Sequence, residues 1–267
     1  MPLLAAACTA AAVGAGAARG APSLSSNWAG YAAIGLGSTA STASPDTRFT
    51  DVTGEWVQPR ASCTPGTPTS VAIWVGLGGY SIRSRALEQV GTSADCDATG
   101  HASYTVWYEL IPADSVRVSL RVRPGDRVVG VVEATGNGVL VQFIDRTRGR
   151  RFTRRLAMAS PDLSSAEWIV EAPSQCDVAS CGNQLPLTNF GSIAFTRTFV
   201  TGNGDGGTIS GPGWTSAALR LVPRTTRFYA QPNGGSPAAG AGATPSPLTP
   251  DGSGFTVAWQ AAPTGSG

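Results

Sequence analysis

The sequence contains no lysine, so all 19 of its basic side chains are arginine. It has one histidine, His101, and only 13% of its 267 residues are charged, for a net charge of +2. So small a charge gives no electrostatic reason to expect nucleic acid or a membrane surface as a partner. A Ser-His-Asp triad would depend on His101 alone, and no Gly-x-Ser-x-Gly turn is present to carry the serine. Asp-Thr-Gly and Asp-Ser-Gly are missing too, which argues against a paired-aspartate protease. No Cys-x-x-Cys occurs, so zinc has no donor set, and neither a metal nor a cofactor is expected. No window has the period of a long amphipathic helix, and no internal repeat is visible. Few charges also mean few ion pairs to lose when carboxylates protonate, a composition suited to acid.

What the chain does contain is glycine, proline, serine and threonine around short runs rich in valine and aromatics. That composition favours strands and turns. At this length the chain can bury a full core as one all-β domain. The apolar run Leu3 to Ala18, followed by small residues, reads as a secretory leader over residues 1–20. One domain is then expected over 21–267, secreted and monomeric, with a Gly/Pro/Ala-rich loop at 231–252. Cys8 leaves with the leader. The four remaining cysteines have three possible connectivities, of which Cys63–Cys96 with Cys176–Cys181 is the most economical.

Alternation places strands at 49–57, 71–76, 104–111, 128–134, 139–144, 150–157, 193–200, 217–222 and 255–260, with Asn137-Gly138 as a hairpin turn. Val116, Val118, Leu120 and Val122 alternate with polar residues and give the clearest half-buried strand. Two further strands carry unusual polar residues. In 86–90, Leu87 and Gln89 share a face and Glu88 points the other way. In 166–171, Glu167, Ile169 and Glu171 share one face, opposite Trp168 and Val170. Thr105, Trp107 and Glu109 share a face in 104–111. Glu109 and Glu171 lie among large apolar residues, where an unpaired carboxylate is costly. The arginines at 146, 148, 150, 151, 154 and 155 read as a solvated edge strand kept from pairing, with a polyanion site as the rival reading.

Five motifs then fall in one order at compatible spacing: Ser26-Asn27-Trp28-Ala29-Gly30-Tyr31, Trp74-Val75-Gly76-Leu77-Gly78-Gly79, Leu87-Glu88-Gln89-Val90-Gly91, Trp107-Tyr108-Glu109 and Glu167-Trp168-Ile169-Val170-Glu171. Together they resemble the glutamic peptidases, the eqolisins, whose fungal members are secreted acid endopeptidases. The resemblance runs from about Ser26 to Phe195. It implies a lectin-like β-sandwich of two curved antiparallel sheets with its active site on a concave face, acting on protein or peptide substrates. Gln89 and Glu171 fall on the family's catalytic positions, and Trp28, Trp74 and Glu109 on positions that line its substrate cleft. Gly78 and Thr105 stand where the fungal motifs have aspartate.

On this reading Glu171 is general base and then acid, and the Gln89 amide donates to the oxyanion. Hydrogen bonds to the ionised form are expected to hold the Glu171 pKa down, so that activity persists in acid. Two other functions fit parts of the pattern. One is a glycoside hydrolase using Glu109 and Glu171. The other is a non-catalytic carbohydrate-binding module stacking sugars on Trp28, Trp74 and Trp107.

Overall fold

Strands alternating apolar and small or polar residues can bury both faces only if a second layer covers one of them. The computed structural model describes residues 21–41, 47–176, 181–222 and 240–262, without the side chains at 175–176 and 181–184. The expected leader and the Cys176–Cys181 pairing lie outside the described residues. No helix occurs among those residues.

The strands are β1 (Ser23–Ser25), β2 (Trp28–Ile34), β3 (Phe49–Val57), β4 (Thr69–Leu77), β5 (Leu87–Cys96), β6 (Ala102–Ile111), β7 (Val116–Val118), β8 (Arg127–Thr135) and β9 (Gly138–Asp145). They continue with β10 (Arg150–Ala157), β11 (Ser165–Glu171), β12 (Ser174–Cys176), β13 (Cys181–Gln184), β14 (Ser192–Gly202), β15 (Asp205–Gly207), β16 (Thr215–Leu221), β17 (Gly242–Pro245) and β18 (Phe255–Gln260).

One ladder runs β10-β9-β8-β3-β14-β18-β17-β16-β2-β11-β4-β5-β6-β7. It folds over on itself at β14. Ser192–Phe195 pairs with β18, and after an irregularity at Thr196–Phe199 the same strand pairs with β3. Arg197 takes a positive φ of 49° there, the local bend a bulge provides. The result is a sandwich, with β3, β8, β9, β10 and the second half of β14 covering the inner face of the larger sheet. Its two free edges, β7 and β10, come together where Tyr108 and Phe152 stack at 5.8 Å and 17°.

Alternation decides what each face holds. Val71, Ile73, Val75 and Leu77 of β4, Trp168 and Val170 of β11, and Val90 of β5 point inward against Trp56, Val128, Val132 and Phe143. Each such side chain contributes about 1.5–3 kcal/mol by leaving water. Two glycines opposite one another, Gly54 and Gly130, let the layers close. A Cβ at Gly54 would stand 2.7 Å from the Trp168 ring, and one at Gly130 2.8 Å from Val75. Trp168 Nε1 donates across the layers to the Thr53 carbonyl at 2.8 Å, and Trp56 Nε1 to Thr92 Oγ1 at 3.2 Å.

The sandwich and its antiparallel ladders match the expected fold class, and Cys63–Cys96 is a disulfide. Two expectations change. The predicted strand over 116–122 keeps ladder pairing only at Val116–Val118. Val122 is buried as its alternation implied, but this segment carries the chain from the larger sheet to the smaller one and leaves the ladder to do so. The expected loop at 231–252 contains a strand, Gly242–Pro245, inserted between β16 and β18. Its small residues hide it from a search for β-branched runs.

Candidate active site

The outer, concave face of the larger sheet takes the other set of side chains. Ala72, Trp74, Leu87, Ile169 and Leu219 form a small apolar cluster there, with Trp28 and Trp107 packed against it. Into this apolar floor the strands insert three polar side chains: Gln89 from β5, Glu109 from β6 and Glu171 from the end of β11. Gln89 pairs directly with Glu109 across the β5–β6 ladder. Along β4, Gln89 lies opposite Gly76 and Glu171 opposite Ala72, so the two are two strands apart and offset by four residues. All three line one cleft of about 480 Å³, shared with Asn27, Trp28 and Trp107.

Glu171 is held from several sides. Trp74 Nε1 donates to its Oε2 at 2.8 Å and Asn27 Nδ2 to its Oε1 at 3.1 Å. The indole of Trp28 stands edge-on to that of Trp74 at 5.0 Å. Burial nevertheless dominates and pushes the Glu171 pKa up to about 7; Trp74, Asn27 and Trp28 oppose it, and the charge of Glu109 adds to it. The expectation that hydrogen bonds would hold this pKa down is therefore reversed. Two hydrogen bonds, with the Trp28 indole nearby, do not replace the water that an apolar floor excludes.

Gln89 is 3% exposed. Its Nε2 donates to Glu109 Oε2 at 2.6 Å, while its Oε1 is buried without a partner among the described residues. The Glu109 pKa is raised by burial, lowered in part by Gln89, and raised again by the charge of Asp114.

Of the residues expected to line the cleft, Trp28 and Glu109 do. Trp74 is fully buried, so it meets the cleft through its bond to Glu171 rather than as a surface for substrate. Trp107 and Thr105 also line the cleft. His101 sits in a turn with Asp97 and Thr99, away from the site. Among the described residues no group of three or more His, Cys, Asp or Glu could hold a metal ion.

Sequence reasoning missed Asn27. Its signal was its place beside Trp28, at the start of the strand that flanks β11. The structure also accounts for Gly78, which has φ +81°; a Cβ there would meet the Cβ of Asp162 at 2.5 Å. A carboxylate thus stands beside position 78 after all, carried by another segment. The Asp162 carboxylate accepts from Gly79 N at 3.3 Å, from Ser164 N at 2.9 Å and from the Ser84 hydroxyl.

Beside the cleft lies a second acidic group. Glu88 and Glu167 are both fully buried. Among the described residues neither oxygen of Glu167 has a hydrogen-bond partner. Burial holds its pKa well above the ordinary range, Ser165 offsets part of that, and the charges of Asp162 and Glu88 reinforce it. Burial likewise pushes Glu88 up to about 8, the Asp162 N–H opposing at 3.2 Å and the Asp162 charge adding to the rise.

An amide and two carboxyls with displaced pKa values in one cleft are the equipment of acid–base hydrolysis. The chain belongs to the Peptidase A4 family, whose model it matches over residues 26–220. It is a glutamic endopeptidase of that family. Its fold is that of scytalido-glutamic peptidase, solved with a peptide-based transition state analog, with a TM-score of 0.66 and 20% identity over 88% of this chain and 98% of that one. It is similar also to SCP-B, an eqolisin solved with the tripeptide Ala-Ile-His, with a TM-score of 0.63 and 20% identity over 88% and 98% of the two chains. Aspergilloglutamic peptidase from Aspergillus niger gives 0.51 and 25% identity over 72% of this chain and 99% of that one. No curated protein matches the sequence.

Proposed function

We propose that the chain is an exported, monomeric endopeptidase that hydrolyses peptide bonds in proteins with Glu171 and Gln89, working in acid. The observation that carries this reading is one cleft lined by Gln89, Glu109 and Glu171, with Glu171 gripped by Trp74 and Asn27. The Cys63–Cys96 disulfide supports export, since such bonds persist in oxidising compartments. Family membership sets peptide hydrolysis above the glycosidase and sugar-binding alternatives.

In the first step, ionised Glu171 takes a proton from a water as the water oxygen bonds to the scissile carbonyl carbon. The oxyanion that forms accepts an N–H from Gln89, whose amide has a second hydrogen beyond the one given to Glu109. In the second step, protonated Glu171 returns the proton to the amide nitrogen, the C–N bond breaks, and an acid and an amine leave. Like other oxyanion donors, Gln89 stabilises the transition state by about 3 kcal/mol.

The raised Glu171 pKa favours a second assignment of the same groups. In acid the free enzyme holds Glu171 protonated. Burial raises the Glu109 pKa too, the hydrogen bond from Gln89 opposes that rise, and this assignment requires Glu109 to be the first of the two carboxyls to ionise. Glu171 then acts first as acid toward the amide nitrogen, and Glu109 activates the water. The pH dependence of kcat/KM separates the two, because it reports the free enzyme. With Glu171 as base, activity rises with pH toward about 7; with Glu171 as acid, it falls there. Both assignments require that Glu171→Gln abolish cleavage of an unfolded protein substrate while the fold is kept. A variant that still turns over ends the proposal.

A further inference from the structure

The arginine-rich hairpin was legible in the sequence and has no part in the hydrolysis above. In the structure four of its six arginines are accounted for. Arg146 pairs with Glu55 at 3.1 Å, Arg148 with Asp126 at 3.0 Å and Arg150 with Asp145 at 2.8 Å. Arg155 donates to Thr135 Oγ1 at 3.1 Å. Arg151 and Arg154 are left, exposed on edge strand β10 and in no ion pair among the described residues.

They do not simply face solvent. Together with Arg150 they line a cavity of about 550 Å³ where the free edges of the two sheets meet, beside the stacked Tyr108 and Phe152. The opposite edge, β7, contributes a fourth cation, Arg117, likewise without an ion pair among the described residues. Among the described residues no acidic side chain lines this cavity. Arg117 pairs across the ladder with Trp107 and lines the catalytic cleft as well. Arg117 thus lines both concavities, which adjoin at β7.

We propose that this groove is a specificity subsite for acidic polypeptide. A substrate lying in the cleft continues past Arg117 into the groove, where Arg117, Arg151 and Arg154 select aspartate and glutamate on that side of the scissile bond. The proposal rests on the peptidase reading of the cleft. An edge strand merely kept from pairing needs its charges to point into solvent. It does not need Arg117, Arg151 and Arg154, none of them in an ion pair among the described residues, to border one concavity from two different strands. Carboxylates held by exposed arginines gain little each, and the gain is screened by salt. Two or three together give roughly a fivefold preference at low ionic strength.

The test uses two peptides identical around the scissile bond, one with a glutamate tail and one with a glutamine tail, at a pH where the tail is ionised. The expected result is about fivefold higher kcat/KM for the glutamate tail. That advantage disappears in high salt and in the Arg151→Gln/Arg154→Gln variant, which cleaves the glutamine-tailed peptide as the wild type does. Equal rates for the two peptides, or an advantage that survives in the variant, overturn the proposal. If neither peptide is cleaved, it is the peptidase reading that fails. The groove is then judged by fluorescence anisotropy of the labelled peptides on Glu171→Gln protein. Tighter binding of the glutamate tail that depends on Arg151 and Arg154 sustains it, and equal binding overturns it. An acidic oligosaccharide that binds more tightly than the glutamate peptide overturns the choice of polypeptide as occupant.

Discussion

Replacing Trp74 by phenylalanine tests the site at its most constrained contact. The indole is fully buried, and its N–H donates to Glu171 Oε2 at 2.8 Å. Phenylalanine keeps a flat apolar ring against Trp28 but cannot donate. A hydrogen bond to a charged group is worth about 1.5–3 kcal/mol. At about 1.4 kcal/mol per pH unit, losing it raises the Glu171 pKa by about one to two units from its value of about 7. The assay is kcat/KM against pH on an unstructured peptide, with thermal unfolding followed in parallel, since the smaller ring also costs about 1–3 kcal/mol of packing. If Glu171 is the base, the limb that rises with pH moves up by that amount. Activity below it then falls about 10- to 100-fold while the plateau holds. If Glu171 is the acid, the falling limb moves up instead, and activity in acid is unchanged. A uniform drop at every pH, with both limbs in place, refutes the argument, because Glu171 would then not be the group whose titration controls the rate.

Gln89→Ala is expected to lower kcat by about 100- to 1,000-fold with little change in KM or melting temperature, as loss of an oxyanion donor should; stopped-assay kinetics on one peptide check it. Gly78→Ala meets Asp162 at 2.5 Å and strains a φ of +81°, so it lowers the melting temperature even though alanine is the smallest possible side chain. Breaking the Cys63–Cys96 bond by a double serine substitution releases a 33-residue separation and costs about 3 to 4 kcal/mol, read by urea unfolding. Glu88→Gln flattens the decline of stability between mild acid and alkaline pH, measured as unfolding midpoints across that range; an unchanged slope means that Glu88 does not titrate in the fold.

Much of this was legible in the strand periodicity. Alternation put Glu167, Ile169 and Glu171 on one face and Trp168 and Val170 on the other, and the structure sends the first set to the concave face and the second into the core. The same rule gave β10 (Arg150–Ala157) and β18 (Phe255–Gln260) with both ends correct, because both are bounded by turn residues. It failed where side-chain burial and ladder pairing part company. Leu120 and Val122 go on alternating after the backbone has left β6, and Gly242–Pro245 pairs on both sides with almost no side chain to announce it. The site was legible as a set of residue types, but its electrostatics were not. How far burial outweighs the Trp74 and Asn27 donors depends on how much of Glu171 the apolar floor covers, which no local pattern records.

The two acidic groups act on the working range together or in opposition, according to the role of Glu171. Burial raises Glu88 and Glu167, so the folded state binds their protons more tightly than the unfolded chain does. Their stabilising contribution is complete below the ordinary glutamate range, near 4.5, and is lost as pH rises through about 8 for Glu88. Glu88 and Glu167 therefore favour the fold in mild acid, while Asp162 (against its burial) and Asp251, whose carboxyls are held low by hydrogen bonds, oppose that in stronger acid. Glu171 is buried by the same apolar sheet, and if it serves as base its ionised form is scarce there, so chemistry and stability compete across mild acid. If it serves as acid, the form that stabilises the fold is also the reactive one, and a single cause, carboxyls pressed into an apolar sheet, sets both limits on the same side. The second case is the more economical for a protein working in acid, and the limb that moves in Trp74→Phe decides between them.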